Sequence, residues 1–360
     1  LGDEMNNTSV IIVEQLNPGM VVAEDVYDNR GHLIVSHELP ISEKMIMRLK
    51  LYAVDRIKVY NQNDDSRIQY GRFKQSGQKL KSLEFEEFKQ QYMKNVNEFK
   101  DTINDIVYGN EPIDPKILLN NVNEFINQSP TNLQLLYMLR NLKNFDNAIY
   151  VHSYNVAIIA KMFGIWLNKS EKEIEILTLA GLMHDIGKLS VLEDLKNRRT
   201  EIVQAKIMKQ HPLKGYEILK DTKVDERVKL AVLQHHERRN GSGYPKGLRN
   251  NEISEFAQII AIADMYDDMT TKNKNEPHAP FKVFDYFQKE GYDLFESKFL
   301  LPFIEKTGET FLHNKVTLTN GVEGEIVMLN VQDRSRPLIR TQYGFIDLNK
   351  ERNLEIDDIL

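Results

Sequence analysis

The chain has 360 residues, 41% of them hydrophobic and 28% charged, with a formal net charge of −6 and a pI near 5.9. That is a globular composition long enough for two or three domains, and its acidity excludes an extended surface for a nucleic-acid polymer. It contains no cysteine, so disulfides and thiolate ligands are excluded and any bound metal must be held by nitrogen and oxygen.

The expected fold is mainly α: an all-helical body, a small α/β domain before it and a small β appendage after it. Residues 1–62 read as the N-terminal domain. Val10 to Val13 is an expected strand, Met20 to Val26 a second, and Asp28-Asn29-Arg30-Gly31 turns the chain into His32 to Val35 as a hairpin. Ser42 is an expected N-cap, with Met45, Ile46 and Leu49 on one helical face, and Arg56 to Tyr60 returns as a strand. His32 and His37 have no partners in the pattern and read as surface or turn residues.

Residues 63–130 read as a helical linker after a polar stretch that begins near Asn61. Phe88, Tyr92, Val96, Phe99, Ile103 and Ile106 alternate at steps of three and four, which places them on one stripe of a helix from Leu80 to Val107. That stripe either packs on its own domain or forms a parallel two-helix contact in a homodimer. Ile117 to Ile126 is a further amphipathic helix, closed by Ser129-Pro130.

Residues 131–312 carry few strand signals. Ser170 and Glu173 form an expected capping box, His211-Pro212 opens a helix, and Asp225 caps the helix that ends at Gln234. Asn240-Gly241-Ser242-Gly243-Tyr244-Pro245 must be a loop, and helices resume from Glu255 to Met269 and around Phe281 to Phe287. In residues 313–360, short strands are expected at Lys315 to Leu318, Gly324 to Leu329, Pro337 to Arg340 and Phe345 to Leu348. No apolar run approaches the roughly 18 residues that span a bilayer, and no basic-then-apolar signal segment opens the chain. The expectation is a cytoplasmic protein.

The chemistry concentrates in the helical region. His184-Asp185 ends the apolar run Leu177-Thr178-Leu179-Ala180, so the helix carries both side chains inward, with Lys188 three residues beyond Asp185. A buried carboxylate is costly unless it is paired or bound to metal. Asp264 poses the same problem inside Ile259-Ile260-Ala261-Ile262-Ala263. His152, His211, His235 and His236 complete a set of nitrogen and oxygen donors on helices or at helix ends. Each alone is more simply a core histidine, a helix cap or a salt-bridged carboxylate. Together, in one helical body without cysteine, they point to metal, and adjacent His and Asp suit a pair of ions bridged by the carboxylate.

His184-Asp185-Ile186-Gly187-Lys188, His211-Pro212, the string from His235 to Pro245, His152, and Ile262-Ala263-Asp264-Met265-Tyr266-Asp267 together resemble the HD-GYP branch of the HD-domain metal-dependent phosphodiesterases. The resemblance covers about residues 145 to 272. It implies hydrolysis of cyclic di-GMP, a bacterial second messenger, to linear pGpG or GMP at two transition-metal ions, iron or manganese. His152, His184, Asp185 and Asp264 would serve one ion, and His211 and His235 with His236 the other. Asp185 would bridge them, and a bridging hydroxide would attack phosphorus. Lys188 would neutralise charge on the phosphate, and Gly243, Tyr244 and Pro245 would shape a loop beside the site. The resemblance leaves three alternatives open: a phosphodiesterase, a metal-containing binding module with little turnover, or a hydrolase of another nucleotide.

Two departures stand out. Members with a third metal carry a glutamate one turn before the first histidine, where this chain has Ala148, so two ions are expected. Asn273 and Glu276 replace basic residues that grip the dinucleotide, leaving Lys272 and Lys274 as the candidate substrate contacts.

Overall fold

A computed structural model describes residues 8–17, 20–27, 33–35, 41, 45–46, 49–50, 54–60, 73–109, 111–128, 135–136, 139, 148–195, 200–271 and 279–359. Chain contacts divide it into two compact units, residues 1–82 and 83–360.

In the first unit, β1 (Thr8–Ile12) pairs antiparallel with β4 (Arg56–Tyr60), from Thr8 opposite Tyr60 to Ile12 opposite Arg56. The expected hairpin is β2 (Val26–Tyr27) against β3 (Leu33–Val35). The strand expected from Met20 onward is shorter than its apolar pattern suggests: Val22 makes one isolated bridge to Val59, and pairing resumes at Val26. Val13, Leu16, Val22, Val26, Val35, Ile41, Leu49, Ile57 and Val59 form this unit's own buried cluster. Ser42, His32 and His37 lie outside the described residues.

The second unit holds most of the described helical residues. On α1 (Phe73–Tyr108) the stripe from Phe88 to Ile106 is buried in the unit's own core, against α2 (Pro115–Gln128) and α3 (Ala148–Trp166). The Phe88 and Phe125 rings lie 5.2 Å apart and the Tyr92 and Tyr154 rings 5.6 Å apart. Each such side chain contributes about 1.5–3 kcal/mol on full burial, so the stripe is used within the chain. Helix α3 corrects one expectation. It is long and apolar enough to cross a bilayer by length and composition. It is instead a core helix, with His152 and the run Tyr154 to Ala160 buried.

Helix α4 (Glu171–Met183) starts at the expected capping box: the Ser170 hydroxyl accepts from the Glu173 amide, and the Glu173 carboxylate accepts from the Ser170 amide. Then follow α5 (Gly187–Leu195), α6 (Glu201–Met208), α7 (His211–Leu219), α8 (Glu226–Gln234) and α9 (Glu255–Thr271). Pro212 sits in the first turn of α7, and Asp225 caps α8 by accepting from the Arg227 amide. After α10 (Pro280–Tyr286) comes α11 (Ser297–Glu309), a helix the sequence reading missed because Pro302 interrupts its pattern. Phe299, Leu300, Phe303 and Ile304 nevertheless form a buried face.

The C-terminal strands form one antiparallel sheet of five, in the order β8 (Gly344–Asp347), β7 (Leu338–Thr341), β6 (Glu323–Met328), β5 (Lys315–Leu318), β9 (Ile356–Ile359). The edge strand β9 was not expected; Val316 pairs with Ile359. Val316, Ile326, Ile339 and Ile359 belong to the same buried cluster as residues of α1 to α5 and α7 to α11. The division between the two compact units falls between Ser82 and Leu83.

Candidate metal centre

Three histidines are aimed by one local device. His184 follows the last residue of α4, His211 stands three residues beyond the end of α6, and His235 follows α8. Each places its Nδ1 on the carbonyl three residues earlier: His184 on Gly181 at 2.7 Å, His211 on Met208 at 2.8 Å and His235 on Val232 at 2.8 Å. A carbonyl only accepts, so each Nδ1 carries the proton and donates it. In the neutral ring the lone pair is then on Nε2, the tautomer a metal ligand requires.

Those Nε2 atoms converge on Asp185, which is 1% exposed. His184 Nε2 lies 3.3 Å from Asp185 Oδ2, and His211 Nε2 lies 3.2 Å and His235 Nε2 3.8 Å from Oδ1. The meeting of α5 with α7 depends on Gly187. A Cβ there would fall 2.0 Å from the His211 carbonyl oxygen and 2.4 Å from the Gly215 nitrogen. Lys188, in the first turn of α5, folds back to donate to Asp185 Oδ2.

On the other side, His152 from α3 brings Nε2 within 2.9 Å of Asp264 Oδ1 and 3.3 Å of His184 Nε2. Its Nδ1 meets Asp267 Oδ2 at 2.7 Å. Asp264 and Asp267 are three apart on α9 and therefore share a face. His236 is half-buried, with Nδ1 3.9 Å from Asp264 Oδ2. Donor atoms of His152, His184 and Asp185 form one compact group, and those of Asp185, His211, His235 and His236 a second, with Asp185 common to both; His152, Asp264 and Asp268 form a third.

The electrostatics fit cations. Asp185 Oδ1 is buried without a hydrogen bond of good geometry, and the Nε2 atoms of His211 and His235 face each other at 3.1 Å. With both Nδ1 protonated these are two lone pairs, an arrangement that a cation between them relieves. Burial would raise the Asp185 carboxyl, but His184 and Lys188 hold it well below the usual carboxylate range. Burial likewise opposes charge on Lys188, and Asp185 overrides it, raising that ammonium. Burial, reinforced by His236, His184 and His211, holds His235 well below the usual imidazole range. His236 is lowered to about 3, chiefly by burial. Both are neutral near pH 7, as ligands must be. His152 is the exception. Burial lowers it, yet Asp264 and Asp267 overcome that and push it up to about 10. Metal would have to displace that proton.

The Gly-Tyr-Pro loop lies against this cluster. The Tyr244 ring stacks on His236 at 4.6 Å, its amide donates to the His236 carbonyl, and the Tyr244–Pro245 peptide is cis. A Cβ on Gly243 would sit 2.4 Å from the His236 oxygen and 2.5 Å from the Arg238 nitrogen, so only glycine lets the loop lie this close. The buried Glu237 braces the loop by accepting from the Lys246 and Leu248 amides at 2.7 and 2.9 Å.

Glu237 and Asp267 were missing from the expected site, though each carried a signal. Glu237 adjoins His235 and His236, and Asp267 lies one turn beyond Asp264. His152, His184, Asp185, His211, His235, His236, Asp264 and Lys188 are all brought together. Lys272 and Lys274 lie outside the described residues, as do Asn273 and Glu276.

A helical body with this histidine–aspartate centre has a counterpart among known families: residues 120–293 match the family model described as an HD domain. That stretch is similar to an HD domain, and the chain's curated relatives include named phosphodiesterases. One, from Pseudomonas aeruginosa, is named a cyclic di-GMP phosphodiesterase and is 34% identical over 140 residues, 38% of this chain and 34% of that protein. Another, from Vibrio cholerae, is named a 3'3'-cGAMP-specific phosphodiesterase and is 27% identical over 157 residues, 42% of this chain and 30% of that protein. These matches span about a third of the relatives' own length. A solved HDG"Y"P protein from Bdellovibrio bacteriovorus aligns with a TM-score of 0.47 at 19% identity, covering 82% of this chain and 98% of that one.

Proposed function

We propose that the chain is a metal-dependent phosphodiesterase that hydrolyses a cyclic dinucleotide, with cyclic di-GMP as substrate. The observation that carries this reading is the pair of donor groups sharing one buried carboxylate, Asp185. His152, His184, Asp185 and Asp264 would hold one transition-metal ion, and Asp185, His211, His235 and His236 a second, with iron or manganese suited to nitrogen and oxygen donors. Such a pair supplies Lewis acidity toward both the phosphodiester and the attacking water. Lys188 brings a side-chain cation to the centre. Its ammonium, kept charged by Asp185, neutralises charge that builds on the non-bridging oxygens. Glu237 and Gly243 keep Tyr244 against His236.

The relative named for 3'3'-cGAMP makes the mixed dinucleotide a second reading. The test is turnover by protein reconstituted anaerobically with Fe(II) or Mn(II), offered each dinucleotide in parallel, with products resolved by chromatography. Linear dinucleotide or mononucleotide from cyclic di-GMP, absent in metal-stripped protein, is the expected result. Preferential cleavage of cGAMP selects the second reading. Metal-loaded protein that binds either dinucleotide without cleaving it is a signalling module instead.

A further inference from the structure

One ligand histidine is positioned differently from the others. His184, His211 and His235 are oriented by the backbone carbonyl three residues earlier in the chain. The Nδ1 of His152 rests instead on a side chain, Asp267 Oδ2 at 2.7 Å, with Asp268 Oδ1 3.4 Å away. A carboxylate on a neighbouring helix is a movable support and needs fixing itself.

The fixing comes from a buried chain of polar groups. Asp267 Oδ1 accepts from Asn155 Nδ2 at 3.0 Å, and Oδ2 also accepts from the Thr271 hydroxyl at 3.2 Å. Asn155 Oδ1 in turn accepts from the Tyr92 hydroxyl at 2.7 Å, and that hydroxyl lies 3.3 Å from the Val151 carbonyl. The donor directions follow from what each group can do. A carboxylate only accepts, so the amide NH2 must face Asp267. The amide oxygen then faces Tyr92, so the hydroxyl must donate. With the hydroxyl removed, the amide is free to turn its oxygen toward Asp267, acceptor against acceptor.

We infer that Asn155 and Tyr92 are positioning residues for the metal centre. Acting through Asp267, they fix the ring of His152 and keep the proton on its Nδ1, so that Nε2 is presented to the ion. The inference rests on the metal-centre reading above. It extends the centre to α1, whose buried stripe otherwise looks like packing alone. Three helices then share the ligand's support: α1 supplies Tyr92, α3 supplies Asn155 and His152, and α9 supplies Asp267.

The experiment is titration of metal-stripped protein with Mn(II), following free ion by electron paramagnetic resonance. Loss of an outer partner of a ligand histidine costs roughly 10–100-fold in affinity. Asn155→Leu should fall in that range for one of the two ions, and Tyr92→Phe, one bond further out, should lose about three- to tenfold. Tyr154→Phe is the control. It deletes a hydroxyl from a buried ring of the same aromatic cluster, but that hydroxyl bonds the Asn121 carbonyl at 3.3 Å. It should bind Mn(II) like the unsubstituted protein. Equal affinity in Tyr92→Phe and the unsubstituted protein overturns the inference, and so does an equal loss in Tyr92→Phe and Tyr154→Phe, which would mean packing. If Asn155→Leu fails to fold, Tyr92→Phe, which deletes a single oxygen, decides. Unsubstituted protein that takes up no Mn(II) overturns the metal-centre reading itself and this inference with it, a result distinct from the other two.

Discussion

Lys188→Met separates a structural from an electrostatic role for the lysine, because its effect should depend on the metal. The substitution keeps an unbranched stem and removes only the ammonium. In metal-stripped protein it leaves Asp185 buried among histidines with its ammonium partner gone. Breaking a buried pair from one side costs about 3–5 kcal/mol. For a unit of this size each kcal/mol moves the unfolding midpoint by about 2–4 °C, so a fall on the order of 10 °C is expected. With ions bound, Asp185 has other cations to satisfy it, and the cost should shrink to about 1 kcal/mol. The rate should not recover: loss of one preorganised electrostatic stabiliser reduces kcat by roughly 10²–10³. The assay is scanning calorimetry of both proteins with chelator and with Mn(II), followed by turnover and metal content. Equal destabilisation with and without Mn(II), or loss of the metal from the variant, would refute the reasoning.

Asp185→Ala should abolish metal binding and turnover together, since both donor groups use that carboxylate; elemental analysis beside an activity assay checks it, and activity surviving in this variant would contradict the shared-ligand reading. The unsubstituted protein should hold about two ions per chain, because Ala148 stands where a third site needs a carboxylate; three tightly held ions would count against this. Gly243→Ala should displace the Tyr244 loop, since its Cβ meets backbone atoms at 2.4–2.5 Å, and should lower turnover while leaving metal content unchanged. In metal-stripped protein His152 is held protonated up to about 10 against an ordinary value of 6.5. The folded state therefore binds the extra proton across that window, so this contribution to stability is complete below pH 6.5 and is lost as pH rises toward 10. Urea unfolding of the stripped protein should show that decline, and His152→Gln should flatten it; a level profile in the unsubstituted protein would contradict the ion pairs drawn around His152.

The local elements were legible in the residues themselves. The Ser170–Glu173 capping box, Pro212 in a first turn, the Asp225 cap and the loop at Asn240 to Pro245 are short-range constraints, and each formed where its residues stand. The stripe on α1 was equally plain, yet its periodicity could not say what it covers. Burial against Phe125 and Tyr154 comes from chain more than thirty residues away. Helix α11 was hidden because Pro302 masks a pattern that tertiary burial sustains, and β9 because its partner β5 lies some forty residues earlier. The donor residues of the centre could be named from sequence, since buried aspartates and histidines without cysteine admit few explanations. Their grouping about a shared Asp185 followed only from the family resemblance, not from their spacing. That His152 leans on Asp267 rather than on a carbonyl, and that Tyr92 stands behind it, are facts about which helices meet. Helix packing is set by side chains distant in sequence, and only the folded chain decides it.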